Sequence, residues 1–202
     1  MRPAGFVGPQ VRQEGFNMNV AVVGLGNIGG QLATALVEAG HRIAVVDNGS
    51  GKAQAFAEKS KGKAYATTLP DALAKSDMIS FGVWFNVIRE LIPQYRDKLA
   101  GKVVVDPSNP IAPDGKGGFK KTIPQNESSG QILAALLPPG TKFVKAFGTL
   151  GAASLKSGAH RSPEPAVLFY ASDDENAGNE VASLIRDIGF APVGVGGTIH
   201  SP

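Results

Sequence analysis

Three glycines at fixed spacing, Gly24, Gly26 and Gly29, and an acid closing the next apolar run, Asp47, carry the most definite chemistry in this chain. In a strand–turn–helix unit each glycine has a separate task toward a dinucleotide. Gly24 permits the tight turn, Gly26 lets the backbone approach a pyrophosphate, and Gly29 lets the helix lie close to the strand. Leu25, Asn27 and Ile28 complete the loop, and a helix starting near Asn27 directs free N–H groups and its positive dipole end at the phosphates. Asp47 stands where a carboxylate accepts hydrogen bonds from an adenosine ribose, with Asn48 and Ser50 beside it. A carboxylate close to a 2′-phosphate repels it, enough to disfavour NADP by roughly an order of magnitude even when heavily screened. These residues therefore lean toward NAD, although Ser50 and Lys52 reach the same ribose and offset the repulsion.

Other reactive residues are fewer. Val83 and Trp84 follow an apolar run, and the flat indole could wall a nicotinamide pocket. Asn109, held between Ser108 and Pro110, could hydrogen-bond a carboxamide. Lys145 interrupts an apolar strand, and a buried lysine needs a partner or a task; the commoner arrangement puts its amine in solvent at a sheet edge. His160 and His200 are the remaining acid/base candidates, His41 lying at a helix–strand junction. No Ser/His/Asp arrangement, metal-ligand spacing or Tyr-x-x-x-Lys pair is present. The lack of a clear proton donor fits a reaction in which hydride transfer is most of the chemistry.

The elements that must position these residues alternate in type. Val20 to Val23 reads as a doubly covered parallel strand, and Leu32, Ala35, Leu36 and Ala39 recur at helical spacing before Gly40. Arg42 to Val46 gives a second strand, Gly51 to Lys61 a helix, and Ala64 to Ala66 a third strand. Leu69 to Lys75 is helical, Asp77 to Val83 a fourth strand, and Phe85 to Tyr95 a helix interrupted near Pro93. Val103 to Val105 is a fifth strand. From Ile111 to Glu127 no periodicity is visible, so a long functional or mobile loop is expected. A helix over Ser128 to Leu137, strands at Phe143 to Phe147 and Ala166 to Ala171, a helix over Asp173 to Ile188 and a strand at Val193 to Val195 follow. This is an α/β chain with a doubly wound parallel sheet, the Rossmann NAD(P)-binding fold with a short C-terminal extension. Residues 18–202 form one domain, preceded by a flexible arm over 1–17. Ligands of such sheets bind outside the carboxyl ends of the strands. The segments Val83 to Phe85, Pro107 to Pro110 and Gly148 to Ala152 should therefore meet there, facing the nicotinamide and its reaction partner.

Bulk properties exclude several classes. The 202 residues are 43% hydrophobic, enough for a core. No cysteine is present, which removes disulfides and thiolate metal sites and fits a cytoplasmic protein. A net charge of +3 with Lys and Arg scattered gives no nucleic-acid footprint. No apolar run is long enough for a membrane span.

Taken in order, several segments resemble the NADP oxidoreductase family that depends on coenzyme F420, a deazaflavin. They are Val20-Ala-Val-Val-Gly-Leu-Gly-Asn-Ile-Gly29, the Asp77 to Val83 strand, Val103-Val-Val-Asp-Pro-Ser-Asn-Pro-Ile111 and Val144-Lys-Ala-Phe-Gly-Thr-Leu150. The Asp173-Asp174 helix and Gly189-Phe-Ala-Pro-Val193 complete the match, which spans roughly residues 18 to 197. The resemblance implies a deazaflavin co-substrate stacked on the nicotinamide, with hydride passing directly between ring carbons. It implies that Gly148, Thr149, Leu150 and Ala152 line that contact, with Val83 and Trp84 opposite. It also implies a small-molecule redox partner and a homodimer. This chain departs from the family in having Asn48-Gly49-Ser50-Gly51 where an Arg commonly grips the 2′-phosphate. Trp84 stands for a frequent proline, and Gly148 for a frequent Asn or His. Two other readings remain open: a reductase of a small imine or carbonyl compound using Lys145 or His160 as proton donor, and a non-enzymatic dinucleotide-binding module.

Overall fold

A computed structural model describes residues 18–198. The arm expected over 1–17, and His200, lie outside the described residues.

The eight-stranded sheet has the order β10-β9-β8-β5-β4-β1-β2-β3. Strands β1 (Val20–Val23), β2 (Ile43–Val46), β3 (Ala64–Ala66), β4 (Met78–Phe81), β5 (Val103–Asp106) and β8 (Lys142–Ala146) are mutually parallel. Every residue of β1, β2, β4 and β5 is buried, which is why these strands read as continuous apolar runs rather than alternating ones. Alternate residues point to opposite faces. Val20 and Val22 face the core cluster that α1 (Asn27–Glu38), α2 (Lys52–Lys59) and α8 (Glu175–Asp187) also enter. Ala21 and Val23 pack under α3 (Leu69–Lys75), α4 (Phe85–Gln94) and α6 (Ser129–Leu136). The strand order changes direction between β1 and β4, the switch point at which a crevice opens.

One sequence expectation holds and others need correction. Helix α4 includes Pro93 in its last turn and breaks just past it, at Tyr95, because proline lacks the N–H that would bond the carbonyl four residues back. A short α5 (Arg96–Leu99) follows. The segment 111–127 is not wholly irregular: β6 (Ile111–Pro113) and β7 (Phe119–Lys121) pair as an antiparallel ribbon. Its turn is organised by Asp114, whose Oδ1 accepts from the N–H groups of Lys116 (2.7 Å) and Gly118 (2.9 Å). Those bonds hold the Asp114 carboxyl below its usual range.

The C-terminal extension breaks the parallel pattern. Strand β9 (Val167–Ser172) runs antiparallel to β8, and β10 (Ala191–Gly194) runs parallel to β9. The connection after β8 carries a short helix α7 (Ala152–Ser157), which the sequence did not reveal, and β9 enters from the end of the sheet at which β8 leaves. No helix among the described residues is long and apolar enough to cross a membrane.

Candidate functional site

The turn from β1 into α1 is built by close backbone approach. Gly24 has φ +90°, a left-handed conformation that glycine adopts without cost, and its N–H donates to Val46 O (2.8 Å), tying the turn to β2. A Cβ on Gly29 would collide with Gly24 O and stand 3.1 Å from Gly82 Cα. Gly82, immediately after β4, is the third member of this contact and was missed in the sequence. A Cβ there would lie 2.6 Å from Gly29 Cα and 2.8 Å from Gly24 O. The signal was present, since glycine follows an apolar strand at the point where ligand loops gather.

Gly26 differs from its neighbours. A Cβ on it would meet only Gly82 O, at 3.9 Å, so the space above it is open. Gly26 and Asn27 are exposed, Leu25 and Ile28 half-buried, and Gly29 buried. Gly26 also caps α1 without any side-chain hydrogen bond to the first-turn N–H groups. An open glycine before an uncapped twelve-residue helix is the geometry a pyrophosphate requires. The residues present thus fit a dinucleotide.

After β2 the chain turns through Asp47, Asn48, Gly49, Ser50 and Gly51, with Asn48 and Ser50 exposed. The Asp47 carboxylate organises this loop. Its Oδ1 accepts from Gly49 N–H (2.9 Å), and its Oδ2 from Ser50 Oγ (3.1 Å) and Ala53 N–H (2.9 Å). These donors, the Ala53 N–H at the start of α2 foremost, hold the Asp47 carboxyl below its usual range despite some desolvation. Asp47 is therefore a cap for α2, with lone-pair capacity left for a ribose hydroxyl.

Two of the three segments expected on the far side of the crevice meet, those after β5 and β8. Val83 is half-buried, and Trp84, the N-cap residue of α4, is 53% exposed. Beyond β5, Pro107, Ser108 and Pro110 are buried and Asn109 half-buried. Asn109 Nδ2 donates to Gly148 O (2.8 Å), joining this turn to the segment after β8. There Gly148, Leu150 and Ala152 are half-buried and Thr149 exposed. Gly148 is fitted against the neighbouring turn, since a Cβ on it would lie 2.9 Å from Pro107 O.

Lys145 is not at a solvent edge. It is 6% exposed, and its Nζ donates to Asp106 Oδ2 (2.8 Å) and to Ser108 O. Asp106 and Lys145 are register partners on β5 and β8, so the polar pair interrupts two apolar strands at the same level. Asp106, whose pairing with it no local pattern reveals, is fully buried. His160 lies apart, its N–H donating to Gly189 O (2.9 Å) just before β10, two strands beyond β8.

With this geometry the chain can be set beside known proteins. Residues 19–110 match the model of the family described as NADP oxidoreductase, coenzyme F420-dependent. A hypothetical protein from Sinorhizobium meliloti is 31% identical, with a TM-score of 0.80 over 90% of this chain and 86% of that one. Over residues 19–110 the chain belongs to the F420-dependent NADP oxidoreductase family. A structure described as an F420-dependent NADP reductase from Arthrobacter shares the fold, with a TM-score of 0.75 at 22% identity over 90% of this chain and 86% of that chain. Metalloreductase STEAP3 from Rattus norvegicus is 29% identical over 177 residues, which are 88% of this chain and 33% of that protein. The chain thus spans about a third of the length of that curated relative. The matched segment runs from β1 through β5, the Rossmann half of the sheet.

Proposed function

We propose that this member of the family transfers a hydride between NADP(H) and a deazaflavin or flavin-like acceptor. The observation that carries the reading is the commitment of Lys145. Its amine, the one cation buried at the carboxyl ends of the strands among the described residues, is held by Asp106 and Ser108 O. It is therefore not free to protonate a substrate, and His160 lies two strands away. What remains at the crevice is an exposed indole, two joined loops and backbone amides. Such a surface aligns planar rings and excludes water, which suits direct hydride transfer between ring carbons. A bound nicotinamide supplies or accepts that hydride at its own ring carbon. Val83 and Trp84 form one wall, Asn109 and Pro110 the floor, and Gly148, Thr149, Leu150 and Ala152 the side where the acceptor enters.

The reading of NADP(H) turns on how Asp47 is engaged. The carboxylate directs lone pairs to three neutral donors of its own loop, which leave its charge in place but tie it to that loop. Lys52 stays exposed beside it and supplies an ammonium for a 2′-phosphate, while the Ser50 hydroxyl is committed to Asp47. The family's description as NADP oxidoreductases supports the same choice. Against it stands the lean toward NAD drawn from the Asp47 charge, which these hydrogen bonds do not cancel. We further propose that residues 18–202 act as one domain, paired as a homodimer in the cytoplasm, with a small-molecule redox partner.

Stopped-flow mixing of NADPH with oxidised coenzyme F420, and separately with free flavin, tests the reading. Bleaching of the acceptor at the rate of NADPH oxidation is expected. Tight NADPH binding with no transfer to either acceptor would refute it.

A further inference from the structure

A buried ion pair is a poor device for stability alone, because desolvating two charges cancels most of their attraction. The Asp106–Lys145 pair is nonetheless almost wholly buried, at 0% and 6% exposure. Its hydrogen bonds are not spent on each other only. Asp106 Oδ1 accepts the N–H of Ser108 (2.8 Å) and Lys145 Nζ donates to the carbonyl of Ser108. Both backbone polar groups of Ser108 are therefore fixed by side chains from two different strands. The next residue, Asn109, donates to Gly148 O. A second feature lies on the β8 side. Phe147, fully buried, has φ +65°, a left-handed conformation that a bulky residue adopts only when its surroundings impose it. It sits between Lys145 and Gly148.

From this we infer that Asp106 and Lys145 are positioning residues: together they lock the Pro107–Pro110 turn to the Phe147–Gly148 bend and so set the floor on which the nicotinamide ring lies. The pair touches neither cofactor nor acceptor. It acts through Ser108 and Asn109, and it governs the nicotinamide half of the dinucleotide without reaching the adenosine half, which sits four strands from β8 at β2. The inference rests on the dinucleotide part of the proposed function and is independent of the acceptor.

The affinity of NADPH is compared with that of 2′,5′-ADP, which carries only the adenosine half, in the Lys145→Gln variant. The Asp106→Asn/Lys145→Gln double variant is included because it leaves no unpaired buried charge. In folded variants 2′,5′-ADP should bind as in the parent protein, while NADPH should lose about ten-fold and its hydride-transfer rate about a hundred-fold, as expected for ring misplacement of about 1 Å. Folded variants in which the two affinities move together, or do not move, overturn the inference. So does failure of both variants to fold, which would make the pair a requirement of the fold and not of ring placement. If the affinity split appears while the parent protein reduces no deazaflavin or flavin, the inference stands and the proposed acceptor falls.

Discussion

Gly82 meets Gly29 backbone to backbone: a side-chain carbon on Gly82 would stand 2.6 Å from Gly29 Cα. The end of β4 and the first turn of α1 are thus in direct contact beneath the phosphate loop, and the third backbone there is Gly24 O, 2.8 Å from the same point. Gly82→Ala should therefore force two backbones apart, costing about 1–3 kcal/mol of stability as other overpacked sites do. It should also weaken dinucleotide binding, because the loop that moves is the one proposed to receive the pyrophosphate. Gly30→Ala is the contrast. Its Cβ would meet Leu25 O at 3.6 Å, an ordinary contact, inside α1. That change should stabilise the helix by up to about 1 kcal/mol. Urea unfolding and nucleotide titration of both variants check the pair of expectations, and a Gly82→Ala protein as stable as the parent would sink the account.

Trp84 is the chain's one tryptophan and is 53% exposed at the start of α4. Truncating so exposed a side chain should change stability by less than about 0.5 kcal/mol. If it walls the nicotinamide pocket, Trp84→Ala should slow hydride transfer while leaving 2′,5′-ADP binding unchanged. The same residue offers a direct readout, because bound NADPH absorbs in the range of indole emission. Titration with NADPH should quench Trp84 fluorescence and raise nucleotide emission, whereas titration with 2′,5′-ADP should do neither. Full Trp84 emission at saturating NADPH would remove it from the pocket.

Asp47 also fixes an acid dependence. Its carboxyl is held below the usual value of 3.8 by the Ala53, Gly49 and Ser50 donors. A lowered folded-state pKa means that the charged form is favoured on folding. Its contribution is fully present above the unfolded value and is lost as pH falls through the lower folded one. The stability difference between the parent and Asp47→Asn should thus be constant near neutral pH and shrink below about pH 4. A difference that grows on acidification would reverse the assigned sign.

How far the chain could be read in advance follows from where the information lay. The run from Val20 to Asp47 was legible because strand, glycine turn and helix are local patterns. Parallel strands buried on both faces also announce themselves as apolar runs. What escaped was non-local. Gly82 matters only because β4 lies beside β1, and Asp106 only because β5 and β8 are register partners. The Lys145 amine was placed in solvent because a lone lysine says nothing of an acid on a strand distant in sequence. Antiparallel β9 escaped for the same reason: its direction shows only in its pairing with β8, and the six-residue α7 before it carried no periodic signal. Asp47 was identified correctly as a carboxylate at the loop, but its donors belong to residues whose geometry appears only once α2 is docked.

Cofactor choice turns on that last point, and the two accounts of Asp47 differ in sign. Were its charge aimed at the ribose, Asp47→Ala would improve NADPH binding relative to NADH. In the structure the carboxylate holds Gly49, Ser50 and Ala53, so its removal should slacken the whole loop and weaken both nucleotides together. Lys52, exposed at the first position of α2, should behave differently. Lys52→Ala removes an ammonium available only to a 2′-phosphate, and a hydrogen bond to a charged group contributes about 1.5–3 kcal/mol. NADPH affinity should therefore fall about ten-fold while NADH affinity is kept. Calorimetric titration of the two variants with both nucleotides gives four affinities. Improved NADPH binding by Asp47→Ala, with Lys52→Ala silent, would return the preference to NAD.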